Sequence, residues 1–314
     1  MDSIKKNNAI EGLRGWLIIS IVLFHYTARY PFYANNGFCW ESGFTLGKII
    51  GVSGFFLLSG YLMFKSLIRN IAPPGIYSVK KIKRLCIPFQ IALIFLFICN
   101  AIIPFLNHPR IVDFISNFFL IRVFVRCPLV DGAHWYFFTL LQLYVIVPSI
   151  FIGYKQNIKW LVLLSACLMA FLVLSNTMSA NKSYLFCFFS GFFLAFHNKK
   201  IALPLYFFCG IIASILLRNI SVLFVFGIIP LLIFDCGFMM QMKSVITWTI
   251  GNRLMVLIGK YSYMWYLIHQ QLGYSIINLL KNYMNDYFVI LVTMVFTFSL
   301  SILLHKSASL ISSK

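Results

Sequence analysis

Apolar runs of about twenty residues recur along the chain, separated by short segments that carry most of its lysine and arginine. A helix needs about 20 such residues to cross the hydrocarbon of a bilayer, with a range of roughly 17–25. The runs fall near 10–28, 46–64, 85–104, 135–153, 160–178, 183–197, 201–217, 220–237, 258–280 and 287–304. The expectation is an all-α, polytopic integral membrane bundle of about ten helices, one transmembrane domain over 1–314 with no appended soluble domain. The sixth and seventh runs are short and are split only by His197–Lys200. The segment 245–257 is also short and suits the membrane interface.

Charge fixes the orientation. Only 11% of residues are charged, against about 25% in a soluble domain. The net charge of +19 does not indicate nucleic acid, because the basic residues sit in clusters between apolar runs and no soluble domain displays them. With the N-terminus in the cytoplasm, seventeen lysines and arginines fall inside and eight outside, with Arg14 within the first span. The positive-inside rule therefore selects N-in, C-in. Lys5 and Lys6 precede the first run, but Glu11 and Arg14 interrupt its start and no small-residue cleavage site follows. The run reads as a retained span. Cys86, Cys99, Cys167, Cys187, Cys209 and Cys236 lie in or beside apolar runs and read as small core residues. Cys39 and Cys127 fall in expected external loops. No metal is expected.

The first span carries charge that a membrane helix normally excludes. Residues 10–26 read IEGLRGWLIISIVLFHY. Arg14 and His25 are eleven residues apart, so on an α-helix they fall roughly 20° apart around the axis and about 16 Å apart along it. Glu11 lies within about 40° of the same line. A neutral imidazole can take a proton from a hydroxyl, and a guanidinium presents a rigid fork to phosphate. The structural alternative is a Glu11–Arg14 pair with His25 hydrogen-bonded in a helix contact.

Other segments add polar groups to apolar runs. GVSGFFLLSGYL at 51–62 supplies Gly51, Gly54 and Gly60 for close packing, and Ser53 and Ser59 for hydrogen bonds across a helix contact or toward a pore. Residues 65–84 read as a basic loop broken by Pro73-Pro74-Gly75. Its Lys80, Lys81, Lys83 and Arg84 suit either lipid headgroups or a phosphate-rich ligand. Residues 105–134 form an external segment with room for an interfacial helix near 111–126. The fourth span opens on Trp135 and Tyr136, which suit an aromatic belt. The ninth contains Tyr263 and His269, and His269 reads most simply as a buried structural histidine. Asp235 reads as interfacial.

In order along the chain, these segments resemble the membrane-bound acyltransferase family 3. The resemblance rests on Glu11, Gly12-Leu13-Arg14-Gly15 and His25. It continues through Phe55, Phe56, Leu58, Ser59 and Gly60, then through Lys80, Lys81, Lys83, Arg84 and Pro88. Trp135, Gln142, Tyr144 and Pro148 follow, and Ser262, Tyr263, Tyr266, Leu267 and His269 close it. Two departures stand out. Leu140 and Leu141 replace a frequent glutamate, and His305-Lys306 stands where many members have a glutamate-x-proline element.

The resemblance implies a multi-pass enzyme of the bacterial cytoplasmic membrane that O-acylates, with acetyl favoured, a surface polysaccharide or its lipid-linked precursor. It implies acyl-CoA as donor, acetyl-CoA first, with its phosphates on Arg14, Lys80, Lys81, Lys83 and Arg84. His25 would be base or acyl relay, with Glu11 orienting Arg14. Ser59, Trp135, Tyr144, Tyr263 and His269 would line the substrate path. Membrane lipids surround the bundle, and a separate extracytoplasmic partner is compatible with the missing soluble extension. A flippase or transporter would also use intramembrane Arg and His, but it is expected to show repeats and broken helices. A polymerase or glycosyltransferase is expected to carry clustered external carboxylates. Glu41, Asp113, Asp131 and Asp286 are unclustered in sequence.

Overall fold

The computed structural model describes residues 8–30, 44–69, 74–103, 108–124, 127–154, 184–196, 199–233 and 250–312. Among them all regular structure is helical. In hydrocarbon every backbone N–H and C=O must be satisfied within the segment, which makes a helix the natural form of an apolar run. The order is α1 (Asn8–Leu23), which continues as a π-helix over Phe24–Arg29, then α2 (Leu46–Ile68), α3 (Pro74–Ile102) and α4 (Ile111–Phe118). There follow α5 (Trp135–Tyr154), α6 (Tyr184–Ala195), α7 (Lys199–Leu217), α8 (Ser221–Ile233), α9 (Arg253–Leu280) and α10 (Asp286–Ser312). Five helices among the described residues are long and apolar enough to cross a bilayer: Asn8–Arg29, Leu46–Ile68, Gly75–Ile102, Lys200–Leu217 and Asp286–Ile311. A helix stands at each expected span except the fifth, 160–178, which lies outside the described residues together with Cys39 and Asp235.

The structure changes three expectations. The basic segment is not a loop up to residue 84: α3 starts at Pro74. A proline in the first helical turn has no N–H to satisfy and its φ is already helical. Lys80, Lys81, Lys83 and Arg84 therefore project from the early turns of a membrane helix. The first span is not uniformly α-helical either. The Tyr30 N–H donates to the His25 carbonyl, five residues back. Thr27 Oγ1 donates to the Leu23 carbonyl at 2.7 Å and competes with the regular ladder. Finally, the helix expected over 111–126 is shorter, Ile111–Phe118, and is followed by a 3-10 turn at Ile121–Val123. It turns Asp113 and Asn117 inward, while Ile111, Val112 and Ile115 are exposed, which suits a helix lying against lipid. The Arg110 guanidinium hydrogen-bonds the Asp113 carboxylate at 3.0 Å and holds it below the usual carboxylate range.

α1 sits between α2 and α9. It runs parallel to α9, since Gly12 meets Ile250 while Tyr26 meets Gly273. It runs antiparallel to α2, since Gly47 meets Ser20 and Gly54 meets Leu17. The α1–α9 contact is backbone on backbone. A Cβ at Gly12 would overlap the Ile250 carbonyl oxygen, and one at Gly259 would overlap the Glu11 carbonyl oxygen. Small residues allow this approach in a membrane, where helices gain nothing from leaving water. α5 and α10 both run antiparallel to α9, through His134–Leu267 and Tyr136–Tyr266 on one side and Trp265–Thr297 and Tyr261–His305 on the other. α6 packs behind α2, α7 packs on α6, and α8 packs on both α7 and α2.

Candidate functional site

α1, α2, α3, α5, α9 and α10 enclose a cavity of about 970 Å³. Eight lysines and arginines line it, against one acidic side chain among the described residues, Glu11. Most of the charge is at one end. There Arg14 of α1 meets Lys80, Lys81, Lys83 and Arg84 of α3 and Lys260 of α9. Arg14 Nη1 lies 3.5 Å from Glu11 Oε2, a long ion pair that leaves most of the guanidinium fork available. Lys81 Nζ lies 5.5 Å from the Tyr77 ring centroid and Lys260 Nζ 5.2 Å from that of Tyr261, within cation–π range.

His25 lines the same cavity deeper along α1, on the second residue of the π-helix. Only that short piece of altered helix separates it from the α-helical register, so it shares the wall with Arg14. π-turns recur at functional sites. His25 Nδ1 lies 3.0 Å from Tyr274 Oη of α9. With Nδ1–H donating to Tyr274 Oη, Nε2 holds the lone pair a base needs. The His269 ring stands edge-on to His25, centroids 4.9 Å apart. His269 Nδ1 donates to the Tyr266 carbonyl at 2.8 Å, and its Nε2 is buried without a partner.

A rail of polar atoms joins the two levels. Ser262, Tyr266 and Gln270 are spaced by four residues on one face of α9, rising about 12 Å. All three line the cavity and all are buried. Ser262 Oγ, Tyr266 Oη and Gln270 Oε1 have no hydrogen-bond partner. Buried polar atoms are nearly always paired, so three orphans in one row on a cavity wall mark groups available to a ligand.

The rail is braced from behind. Asp131 is fully buried, and its carboxylate accepts from the Ala133 N–H at 2.7 Å and the Gln271 N–H at 3.0 Å. His134 Nε2 donates to the Leu267 carbonyl at 2.9 Å. These are the two ends of one α-helical backbone bond, 271 to 267. Side chains from the entry to α5 therefore hold the turn of α9 that presents His269 and Gln270. Across the cavity, Ser59 Oγ lies 3.1 Å from Tyr136 Oη. Trp135 stacks on Phe56 at 6.0 Å, and Tyr136 is buried. Both aromatics line the cavity. Tyr263 Oη donates to the Leu85 carbonyl at 2.8 Å, next to the irregularity that Pro88 makes in α3.

The sequence-derived candidates thus converge. Glu11, Arg14, His25, Ser59, Lys80, Lys81, Lys83, Arg84, Trp135, Tyr144 and Tyr263 all line one cavity. His269 does not. It sits one layer back, against His25, because α9 turns Tyr266 and Gln270 to the opening instead. Gln142 donates to the Val123 carbonyl at 3.0 Å and ties α5 to the 3-10 turn that follows α4. Sequence reasoning missed Lys260, Gln270, Tyr274 and the clamp of Asp131 and His134. It also treated Arg29 and Lys48 only as topology charges, although both line the cavity. Four-residue spacing on the ninth span was the available signal for Gln270. Among the described residues no group of three His, Cys, Asp or Glu is placed to hold a metal ion.

No curated protein and no solved structure matches the chain. The family model for the acyltransferase domain matches residues 7–306, which covers every element of the cavity through His305. A polytopic helical bundle built around this cavity, matched over nearly its whole length, belongs to acyltransferase family 3 and is an acyltransferase of the membrane.

Proposed function

We propose that the protein moves an acyl group, acetyl foremost, from cytoplasmic acyl-CoA to a hydroxyl of a cell-surface polysaccharide or its lipid-linked precursor, in the bacterial cytoplasmic membrane. The observation that carries this reading is the continuity of the cavity, from six cations at one end to His25 deeper along the same helix. The six-cation end faces the cytoplasm, as the N-in orientation requires, and takes the phosphates of the donor. Charge-assisted contacts to phosphate are the strong ones, and the Arg14 fork gives them direction. The amide-bearing arm of the donor runs along Ser262, Tyr266 and Gln270, which offer it hydrogen-bonding atoms with no other use.

At the far end of that arm the thioester meets His25. The acceptor hydroxyl gives its proton to His25 Nε2, and its oxygen bonds to the thioester carbonyl carbon. The C–S bond breaks, and the departing thiolate takes the proton from the imidazolium. A two-step variant has Nε2 attack the thioester carbon first and expel the CoA thiolate, forming an acyl-imidazole; the acceptor hydroxyl then attacks the acyl carbon, the C–N bond breaks, and the hydroxyl proton goes to the released thiolate. Tyr274 holds the tautomer in either route, and Glu11 orients Arg14.

The test compares surface glycan by mass spectrometry in cells carrying wild type, His25→Ala and Arg14→Ala at matched protein level. Loss of ester groups in the His25→Ala strain is expected. Esters that persist there remove the base or relay role, and esters that persist after deletion of the gene remove this enzyme from the glycan.

A further inference from the structure

The basic end of the cavity divides into two groups. Arg14 of α1 and Lys81 of α3 form one, and Arg14 acts electrostatically on Lys81. The other gathers around Tyr261, where α9 meets α10. Lys260 Nζ lies 5.2 Å from the Tyr261 ring centroid. The His305 ring stands edge-on to the same ring, centroids 5.1 Å apart. Lys260 and Arg84 both act electrostatically on His305, and all three line the cavity. Arg84 also acts on Lys81, so it stands between the two groups. Tyr261 is buried, whereas Lys260 and Arg84 are exposed. A fixed ring therefore carries a cation and an imidazole at the mouth of the cavity. His305 is also where the chain departs from the glutamate-x-proline element, so a base stands in place of an acid.

We propose that Lys260, His305 and Arg84 bind the phosphomonoester on the 3′ oxygen of the donor's ribose. The inference rests on the acyl-CoA reading of the same cavity and deepens it. Acyl-CoA carries two separate anionic groups, the diphosphate at the head of its arm and the phosphomonoester on its ribose. With the thioester at His25, the arm runs along the α9 rail and leaves the diphosphate at Arg14, about 16 Å away along α1. The ribose then lies past the diphosphate, toward the mouth, and its phosphate meets the second group. A dianion between an ammonium and a guanidinium takes charge-assisted hydrogen bonds from both. The imidazole adds a ring N–H to the same oxygens, where a carboxylate would repel them. A phosphopantetheine arm attached to a carrier protein has one phosphodiester and no ribose. The second group therefore selects the free CoA thioester over a carrier-bound one.

The experiment measures equilibrium binding of acetyl-CoA, and of the same thioester lacking the 3′-phosphate, to full-length protein in phosphatidylcholine nanodiscs. Wild type should bind acetyl-CoA about tenfold or more tightly than the dephospho donor. The Lys260→Gln/His305→Gln variant should lose most of that preference, with a much smaller change for the dephospho donor. Lys260→Arg should keep the preference, since a cation remains. Arg14→Gln should weaken both donors by a similar factor, because it acts on the diphosphate they share. A double variant that keeps the preference overturns the proposal. So does an equal loss for both donors in a double variant with the wild-type melting temperature, because the group would then serve lipid headgroups or the general field. If the double variant unfolds, Lys260→Gln alone carries the test. It should reduce the preference by about threefold or more, and an unchanged preference overturns the proposal. Wild-type protein that binds neither donor sinks the acyl-CoA reading and this inference together, whereas equal binding of the two donors sinks this inference alone.

Discussion

The helices around the cavity and the helices α6–α8 behind them answer the same solvent in opposite ways. Among the described residues of 184–233, none lines the cavity. Their buried side is Phe188, Tyr206 and Phe226, and their outer side exposes Phe207, Phe208, Ile211, Ile215 and Phe224. Their described lysines and arginines, Lys199, Lys200 and Arg218, stand at helix ends. α1, α3 and α9 instead carry charge and orphaned polar atoms within the bundle, and they direct them at a shared space. Intramembrane polarity is expensive unless it serves a site. The contrast separates a chemical half of the molecule from a supporting half.

The comparison is broken most directly at His25. His25→Ala should lower the rate of acyl transfer by about 10²–10⁴, the usual contribution of a positioned acid–base group. The measurement is the initial rate with purified protein at saturating acyl-CoA. A residual rate within a factor of about three of wild type would move the chemistry elsewhere. Next in size is Arg14→Ala. It removes a charged fork from the six-cation end and should raise the acyl-CoA KM by roughly 10- to 100-fold, with a smaller change in kcat. Arg14→Lys should recover only part, since an ammonium cannot reproduce the fork. A change confined to kcat would place Arg14 at the reacting atoms instead.

Tyr266→Phe sharpens the comparison within the chemical half. It removes one rail hydroxyl that has no protein partner, so the fold loses no hydrogen bond. The expected loss is about tenfold in kcat/KM with full-length acetyl-CoA. The loss should be much smaller with a donor truncated to the thioester and its nearest amide. Equal losses with both donors would detach the rail from the donor's arm.

How much of this was legible depended on how costly each residue is in its place. Arg14 and His25 could be read because charge inside an apolar run has no cheap explanation. The helical start at Pro74 could not, because Pro-Pro-Gly signals a break as readily as a first turn, and only packing decides. Arg29 and Lys48 were hidden by their position at the ends of runs, where a cation ordinarily marks topology. The rail was hidden because serine, tyrosine and glutamine carry no charge, and only burial shows that they lack partners. His269 was legible as a buried histidine, but its contact with His25 depends on the facing of two helices far apart in sequence. The clamp of Asp131 on Gln271 lies out of reach for the same reason, with 140 residues between its partners.

The smallest expected effect on turnover lies in the supporting half, and there the polar atom serves the fold alone. Pro230 has no N–H, so the Phe226 carbonyl loses its regular helix partner. Tyr206 Oη of α7 donates to that carbonyl at 2.9 Å, and its ring packs on the Phe226 ring at 4.9 Å. Tyr206→Phe keeps the ring and orphans a buried carbonyl, at a cost of about 1–3 kcal/mol in stability. Acyl transfer per folded molecule should not change. Replacing Pro230 by Ala restores a donor for Phe226, so Tyr206→Phe in that background should cost roughly 1 kcal/mol or less. Thermal unfolding of the four proteins in detergent reads the coupling, and initial rates read the activity. If the two substitutions are simply additive, Tyr206 does not answer the proline. If Tyr206→Phe slows transfer in folded protein, the division between the two halves is not as sharp as the cavity wall suggests.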